Sequence, residues 1–205
     1  MTLMAKNTWP DVPATMPTRG WGWGKVMGRT MLSRAGWGFE GEIPSISKGV
    51  IIVAPHTSNW DFVVGAAGML ALDLDIRFLG KHTLFQGPLA PLMRGLGGIP
   101  VDRSQVGGGV VEDMAALFEQ EEQLLLALAP EGTRSSVERW KTGFHRIALA
   151  ASVPVVAVAL DYVNKKIRFG PCMKVTDDLE HDLEVFQHFF SDAGGKRGNP
   201  EGPSA

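Results

Sequence analysis

Cysteine is almost absent from this sequence. Cys172 stands alone, which excludes an internal disulfide and leaves no cluster for zinc or an iron–sulfur centre, so a reducing, cytoplasmic setting is the simplest expectation. An excess of one charge is missing as well. The formal net charge is -2, which argues against a general nucleic-acid binder, whose basic residues would gather on one face. Any anion site must therefore be local. Long apolar runs are lacking too: Phe62 to Leu72 and Ile147 to Leu160 fall short of the roughly 18 residues of a spanning helix, and Ser152 and Pro154 interrupt the second. The N-terminus has neither the compact apolar core nor the small-residue cleavage site of a signal peptide, so export is not expected. The run Gly107-Gly108-Gly109 has no P-loop lysine and serine or threonine after it, which speaks against nucleotide binding.

What remains is the profile of one globular α/β domain: 205 residues, 44% hydrophobic and 20% charged, enough for a sizeable core. Strand-like runs alternate with helical patterns, which predicts a mostly parallel central sheet flanked by helices. Residues 1–35 form a distinct arm, in which Lys6, Arg19, Lys25, Arg29 and Arg34 stand against Asp11 alone, with Trp9, Trp21 and Trp23 among them. Two readings stand. Tryptophan with basic residues suits a membrane interface, and the same tryptophans suit an arm packed on the domain. Prolines and glycines make the first part of the arm irregular, and a short helix is expected from about Lys25 to Arg34. The domain proper is expected over 36–190. Residues 191–205, rich in Gly and Pro without apolar periodicity, are expected to form a disordered tail.

The chain is organised around Val50-Ile51-Ile52-Val53-Ala54-Pro55-His56-Thr57-Ser58-Asn59-Trp60-Asp61. Four β-branched residues and an alanine predict a buried strand, Pro55 stops it, and Ser58 with Asp61 three residues later predicts a capping box opening a helix. His56 then sits where the strand ends. Asp61, in the first helical turn, can fold back to its imidazole and fix the tautomer, the arrangement of an oriented general base. No serine or cysteine is placed as a nucleophile, so the proton His56 removes belongs to a substrate hydroxyl, and transfer to an alcohol is the reaction suggested.

Further polar clusters follow other expected strands: Lys81 after Ile76 to Gly80, Arg103 after Gly97 to Val101, and Glu131-Gly132-Thr133-Arg134 after Leu124 to Ala129. Ligands of α/β sheets gather beyond the carboxyl ends of strands, so these clusters are expected to converge with His56 on one pocket. Arg103 and Arg134 would offer guanidinium forks to a phosphate and Lys81 a point charge. Glu131 would bind a glycerol-type hydroxyl or hold an arginine. Gly132 would admit close backbone approach, and Thr133 would cap or donate. Taken singly, each of these is more readily a surface ion pair than a functional group, and their joint occurrence shifts the balance. His82 and His145 have no carboxylate nearby in sequence, and His181 and His188 lie on an expected surface helix, so all four are read as structural or solvated. Helices are also expected over Phe62 to Leu72, Val106 to Gln120, Thr142 to Ala151 and Leu179 to Phe190, with one or two turns over Pro88 to Arg94. Strands are expected over Val153 to Leu160 and Lys165 to Phe169.

Together these stretches resemble the glycerolipid acyltransferases of the lysophosphatidic acid acyltransferase type. His56 to Asp61 resembles that family's H-x4-D motif, and Lys81-His82-Thr83-Leu84-Phe85 is similar to its K-x-x-L-F segment. Gly98-Ile99-Pro100-Val101-Asp102-Arg103 resembles the second motif, Pro130 to Ser135 the third, and Val153 to Val158 the apolar fourth, with Ala157 where the family often has a second proline. The matches run in family order over about residues 48–160. The resemblance implies acyl transfer from acyl-CoA or acyl carrier protein to a hydroxyl of a lysophospholipid. It makes His56 the base and Asp61 its orienter, with Arg103, Glu131, Gly132 and Arg134, and less directly Lys81, binding the acceptor's glycerol phosphate. No metal, cofactor or covalent enzyme intermediate is required. The basic arm, in place of the anchoring helix pair of some members, implies peripheral membrane attachment. Other readings are a different lyso-lipid, aminolipid or glycolipid acceptor, a non-catalytic lipid-binding module, and a thioester hydrolase.

Overall fold

The computed structural model describes residues 9–56, 58–101, 109–131, 140–191 and 193. Arg103, Gly132, Thr133 and Arg134 lie outside them, as does nearly all of the expected tail. The described elements are α1 (Gly22–Ala35), β1 (Gly38–Glu40), β2 (Lys48–Ala54), α2 (Asn59–Ala71), β3 (Ile76–Lys81), α3 (Ala90–Gly95), β4 (Gly98–Val101), α4 (Val110–Gln120), β5 (Leu124–Leu128), α5 (Gly143–Ala151), β6 (Pro154–Asp161), β7 (Lys166–Lys174) and α6 (Leu179–Phe190).

Seven strands form one sheet in the order β1-β7-β6-β2-β5-β3-β4. Every neighbouring pair is parallel except β6 with β7. The central strands are apolar along their whole length because both their faces are covered. Alternate residues enter different cores: Ile51, Val156, Val158 and Leu160 pack on the face covered by α2, with α1 outside it. Val50, Ile52, Leu124, Leu126, Val155 and Ala157 pack on the other, against α4, α5 and α6. This is the α/β domain with a mostly parallel sheet that the sequence predicts.

Three departures have physical causes. Helix α1 begins at Gly22, ahead of the expected Lys25, because Gly24, which reads as a breaker, is buried with its missing Cβ 3.3 Å from Leu70 of α2, so the first turn is held by packing. A Cβ on Gly28 would lie 2.5 Å from the Ala71 nitrogen and 2.6 Å from the Ala67 carbonyl oxygen, so α1 meets α2 backbone to backbone. Strand β1 is three residues long, too short for periodicity to register, and is held by pairing with β7. Strand β7 runs on past Phe169 through Pro171 to Lys174, where a proline should end it. A register shift against β6 between Val156 and Val158 leaves Gly170 and Pro171 outside the paired ladder, so the missing N–H costs no hydrogen bond.

The arm is docked on the domain from Trp9 onward. Met16 and Leu32 are core residues, and Trp9 and Trp21 pack against that core. The Arg19 guanidinium is buried, donating to the carbonyls of Leu74, Gly95, Ile76 and Leu96 and pairing with Asp75. Arg29 bonds the Ala71 carbonyl and lies over the Trp9 ring. Helix α1 nevertheless turns Trp23, Val26, Met27 and Met31 to solvent, Trp23 being 64% exposed. Among the described residues no helix is long and apolar enough to cross a membrane.

Candidate active site

Parallel strands bring their carboxyl ends to one edge of the sheet, and β2, β5 and β6 are neighbours at its centre. Their continuations carry His56, Glu131 and Tyr162. Ala54 is in register with Ala159, so the chain leaving β2 emerges beside the chain leaving β6. The Ala54–Pro55 peptide is cis, and His56 follows it with 25% of its side chain exposed.

Helix α2 opens as the sequence predicts. Ser58 is its N-cap and accepts the Trp60 N–H at 3.2 Å, while the Asp61 carboxylate reaches back to the Ser58 N–H at 2.6 Å, completing the capping box. The same carboxylate faces the histidine. Asp61 Oδ2 stands 3.5 Å from His56 Nδ1, an ion-pair distance longer than a short hydrogen bond. Asp61 Oδ1 accepts the Ser58 hydroxyl at 3.2 Å and the Tyr162 hydroxyl at 2.7 Å. Both oxygens of this carboxylate, 2% exposed, thus have hydrogen-bond donors, as a buried polar group requires. With Nδ1 turned to Asp61, the tautomer that donates there leaves Nε2 with its lone pair, able to take a proton.

Glu131 takes up a position that neither sequence reading anticipated. Both of its oxygens accept the backbone N–H of His56, at 3.1 and 2.9 Å, so it fixes the loop that carries the base. Burial raises its carboxyl to about 7, opposed by the His56 amide and assisted by the negative charge of Asp61. Lys81 ends β3 on the same edge of the sheet, exposed, with β5 lying between β3 and β2. Arg103, Gly132, Thr133 and Arg134 are outside the described residues, so the site is built here from His56, Ser58, Asp61, Glu131 and Tyr162. Tyr162 went unread in the sequence. The signal that could have found it is the one that found the others: a polar side chain immediately beyond a buried parallel strand.

The remaining histidines keep their structural reading, with one addition. His145 Nε2 lies 3.0 Å from Asp182 Oδ2, and both residues are buried between α5 and α6, a pair invisible in the sequence because 37 residues separate its members. Thr176 donates to the same carboxylate through its N–H and its hydroxyl. Among the described residues, no group of three or more His, Cys, Asp or Glu side chains is arranged to hold a metal ion.

A model of the family described as Acyltransferase matches residues 26–161, a span that contains His56, Asp61 and Glu131. Among solved structures the fold is similar to the 1-acyl-sn-glycerophosphate (LPA) acyltransferase PlsC from Thermotoga maritima. The two share 16% sequence identity, the match covers 82% of this chain and 78% of that one, and the TM-score is 0.58. No curated protein sequence matches the chain. With the family match running from within α1 through the whole of β6, and a histidine paired with a buried carboxylate inside it, the chain is an enzyme of the acyltransferase family.

Proposed function

We propose that this acyltransferase moves a fatty acyl group from a thioester of coenzyme A or acyl carrier protein to a hydroxyl of a lysophospholipid, foremost 1-acylglycerol 3-phosphate. The observation that carries the mechanism is the His56–Asp61 contact, with Asp61 held by Ser58 and Tyr162. His56 Nε2 removes the acceptor hydroxyl proton as that oxygen attacks the thioester carbonyl. The tetrahedral intermediate collapses with cleavage of the carbon–sulfur bond, and the imidazolium returns its proton to the departing thiolate. Backbone donors or neighbouring cations stabilise the oxyanion. The phosphate-bearing acceptor follows from the Arg103 and Arg134 motifs, with Gly132, Thr133, Lys81 and Glu131 as further binding groups. Glu131 has a prior task in holding the His56 amide.

The enzyme works attached to the cytoplasmic face of a membrane without spanning it. Supporting this, Trp23, Val26, Met27 and Met31 recur at helical spacing on the solvent face of α1. No acidic residue lies between Val12 and Phe39, while Lys25 and Arg34 add cations to the helix. An apolar stripe among cations suits an anionic bilayer, in which both the lyso-lipid and its product reside.

The acceptor assignment is tested by thiol release from acyl-CoA with 1-acylglycerol 3-phosphate and with its dephosphorylated counterpart, monoacylglycerol. Release that depends on the phosphorylated acceptor, and falls on removal of the phosphate, is expected. Indifference to the phosphate would move the assignment to another lyso-lipid, and release without any acceptor would make the protein a thioesterase.

A further inference from the structure

Asp61 is shared between two tasks, closing the cap of α2 and facing the His56 imidazole. A shared carboxylate needs something to decide which oxygen serves which partner. Oδ2 receives the Ser58 N–H and faces the imidazole, while Oδ1 receives the hydroxyls of Ser58 and Tyr162. Of the two hydroxyl donors Tyr162 is the nearer, at 2.7 Å against 3.2 Å, and it comes from 101 residues away.

Three features fix Tyr162 where it stands. It follows β6 directly, at the strand end beside that of β2. Asp161, fully buried, accepts the N–H groups of Val163 and Asn164 at 3.0 Å each and the Asn164 side-chain amide at 2.7 Å, so the turn carrying Tyr162 is pinned from within. Trp37 meets the phenol ring edge to face, with centroids 4.9 Å apart and planes at 89°. A hydroxyl held from both sides and aimed at a buried carboxylate is preorganised to act on it.

We propose that Tyr162 is a positioning residue for the His56–Asp61 pair: its hydroxyl locks the carboxylate orientation that presents Oδ2 to the imidazole, and draws off negative charge that would otherwise favour the imidazolium. The phenol thereby helps set the pH above which His56 is free to accept a proton. The inference rests on the reading of His56 as the base. Among the described residues, Asp61 of α2 faces the His56 ring and Glu131 after β5 holds its backbone amide, with Tyr162 behind Asp61.

Tyr162→Phe keeps the ring and its packing on Trp37 while deleting the hydroxyl. In acceptor-dependent thiol release, its kcat should fall about tenfold with KM for the acceptor within about twofold, and the acid limb of its kcat/KM–pH profile should move up by about one unit. Tyr162 is the chain's one tyrosine, so biosynthetic replacement by 3-fluorotyrosine alters this hydroxyl and no other. The more acidic phenol donates more strongly and should move the same limb down, a test that survives even if Tyr162→Phe fails to fold. The limb belonging to Glu131 is identified by its loss in Glu131→Gln. Opposite shifts in the two proteins are the expected result. Unmoved limbs, with or without a lowered unfolding temperature, in an enzyme that His56→Ala inactivates would overturn the proposal and leave the base in place. Activity that survives His56→Ala would overturn both.

Discussion

Glu131 grips the backbone amide of His56 with both carboxylate oxygens, at 2.9 and 3.1 Å. Burial raises this carboxyl to about 7 from its ordinary 4.5, so the folded protein keeps a proton that the unfolded chain has released. The stabilisation from that proton is complete below about 4.5 and is lost as the pH rises through about 7. Glu131→Gln keeps an acceptor for the amide and removes the titration. Relative to wild type it should gain on the order of 3 kcal/mol in urea unfolding between pH 5 and pH 8. Parallel pH profiles for the two proteins would contradict the burial of this group.

Asp61→Asn tests the carboxylate that orients the base. The amide can still accept a hydrogen bond through its oxygen, but its nitrogen side offers a donor to a partner that needs an acceptor. We expect a fall in kcat of about 10²- to 10⁴-fold. The loss of stability should stay within about 2 kcal/mol, the usual range for a weakened cap. Loss of fold in proportion to loss of rate would make Asp61 a capping residue only.

Much of this site is legible in the sequence because its parts are local. Ser58 and Asp61 are three residues apart, the capping box dictates their geometry, and Pro55 marks the strand end, so His56, Asp61 and the start of α2 follow from one short stretch. Glu131 was visible as a residue but not in its role, since a bond to an amide 75 residues away depends on β2 and β5 being neighbours. Tyr162 depends in the same way on β6 lying beside β2. The interior direction of Arg19 was hidden for another reason: a basic residue in a proline- and glycine-rich stretch reads as solvated, whereas here it satisfies carbonyls at the end of α3 and the start of β3. Strand order, which local pattern does not encode, separates what was read from what was missed.

The α1–α2 contact tolerates no side chain at Gly28, where a Cβ would meet the backbone of Ala67 and Ala71. Gly28→Ala should therefore lower stability by about 1–3 kcal/mol in denaturant unfolding, although alanine is the better helix former. A stabilised variant would show that α1 does not pack on α2 at this distance.

The solvent face of α1 carries the membrane assignment. Wild type should sediment with anionic liposomes and less with neutral ones, and added salt should weaken the binding. Trp23→Ala combined with Met27→Ser should reduce the affinity about tenfold while the fold persists, the loss of stability being limited to the stacking of Trp23 on Trp21 and the covered part of Met27, since neither residue belongs to the core. Equal binding by wild type and variant would remove α1 from the contact.

The most direct test of the account is thiol release from acyl-CoA by His56→Ala in the presence of 1-acylglycerol 3-phosphate, set beside wild type and with folding verified by circular dichroism. Loss of the base is expected to lower kcat by about 10²- to 10⁴-fold while the folded structure and acceptor binding persist. A variant that releases thiol at the wild-type, acceptor-dependent rate would contradict the assignment of His56 as the base.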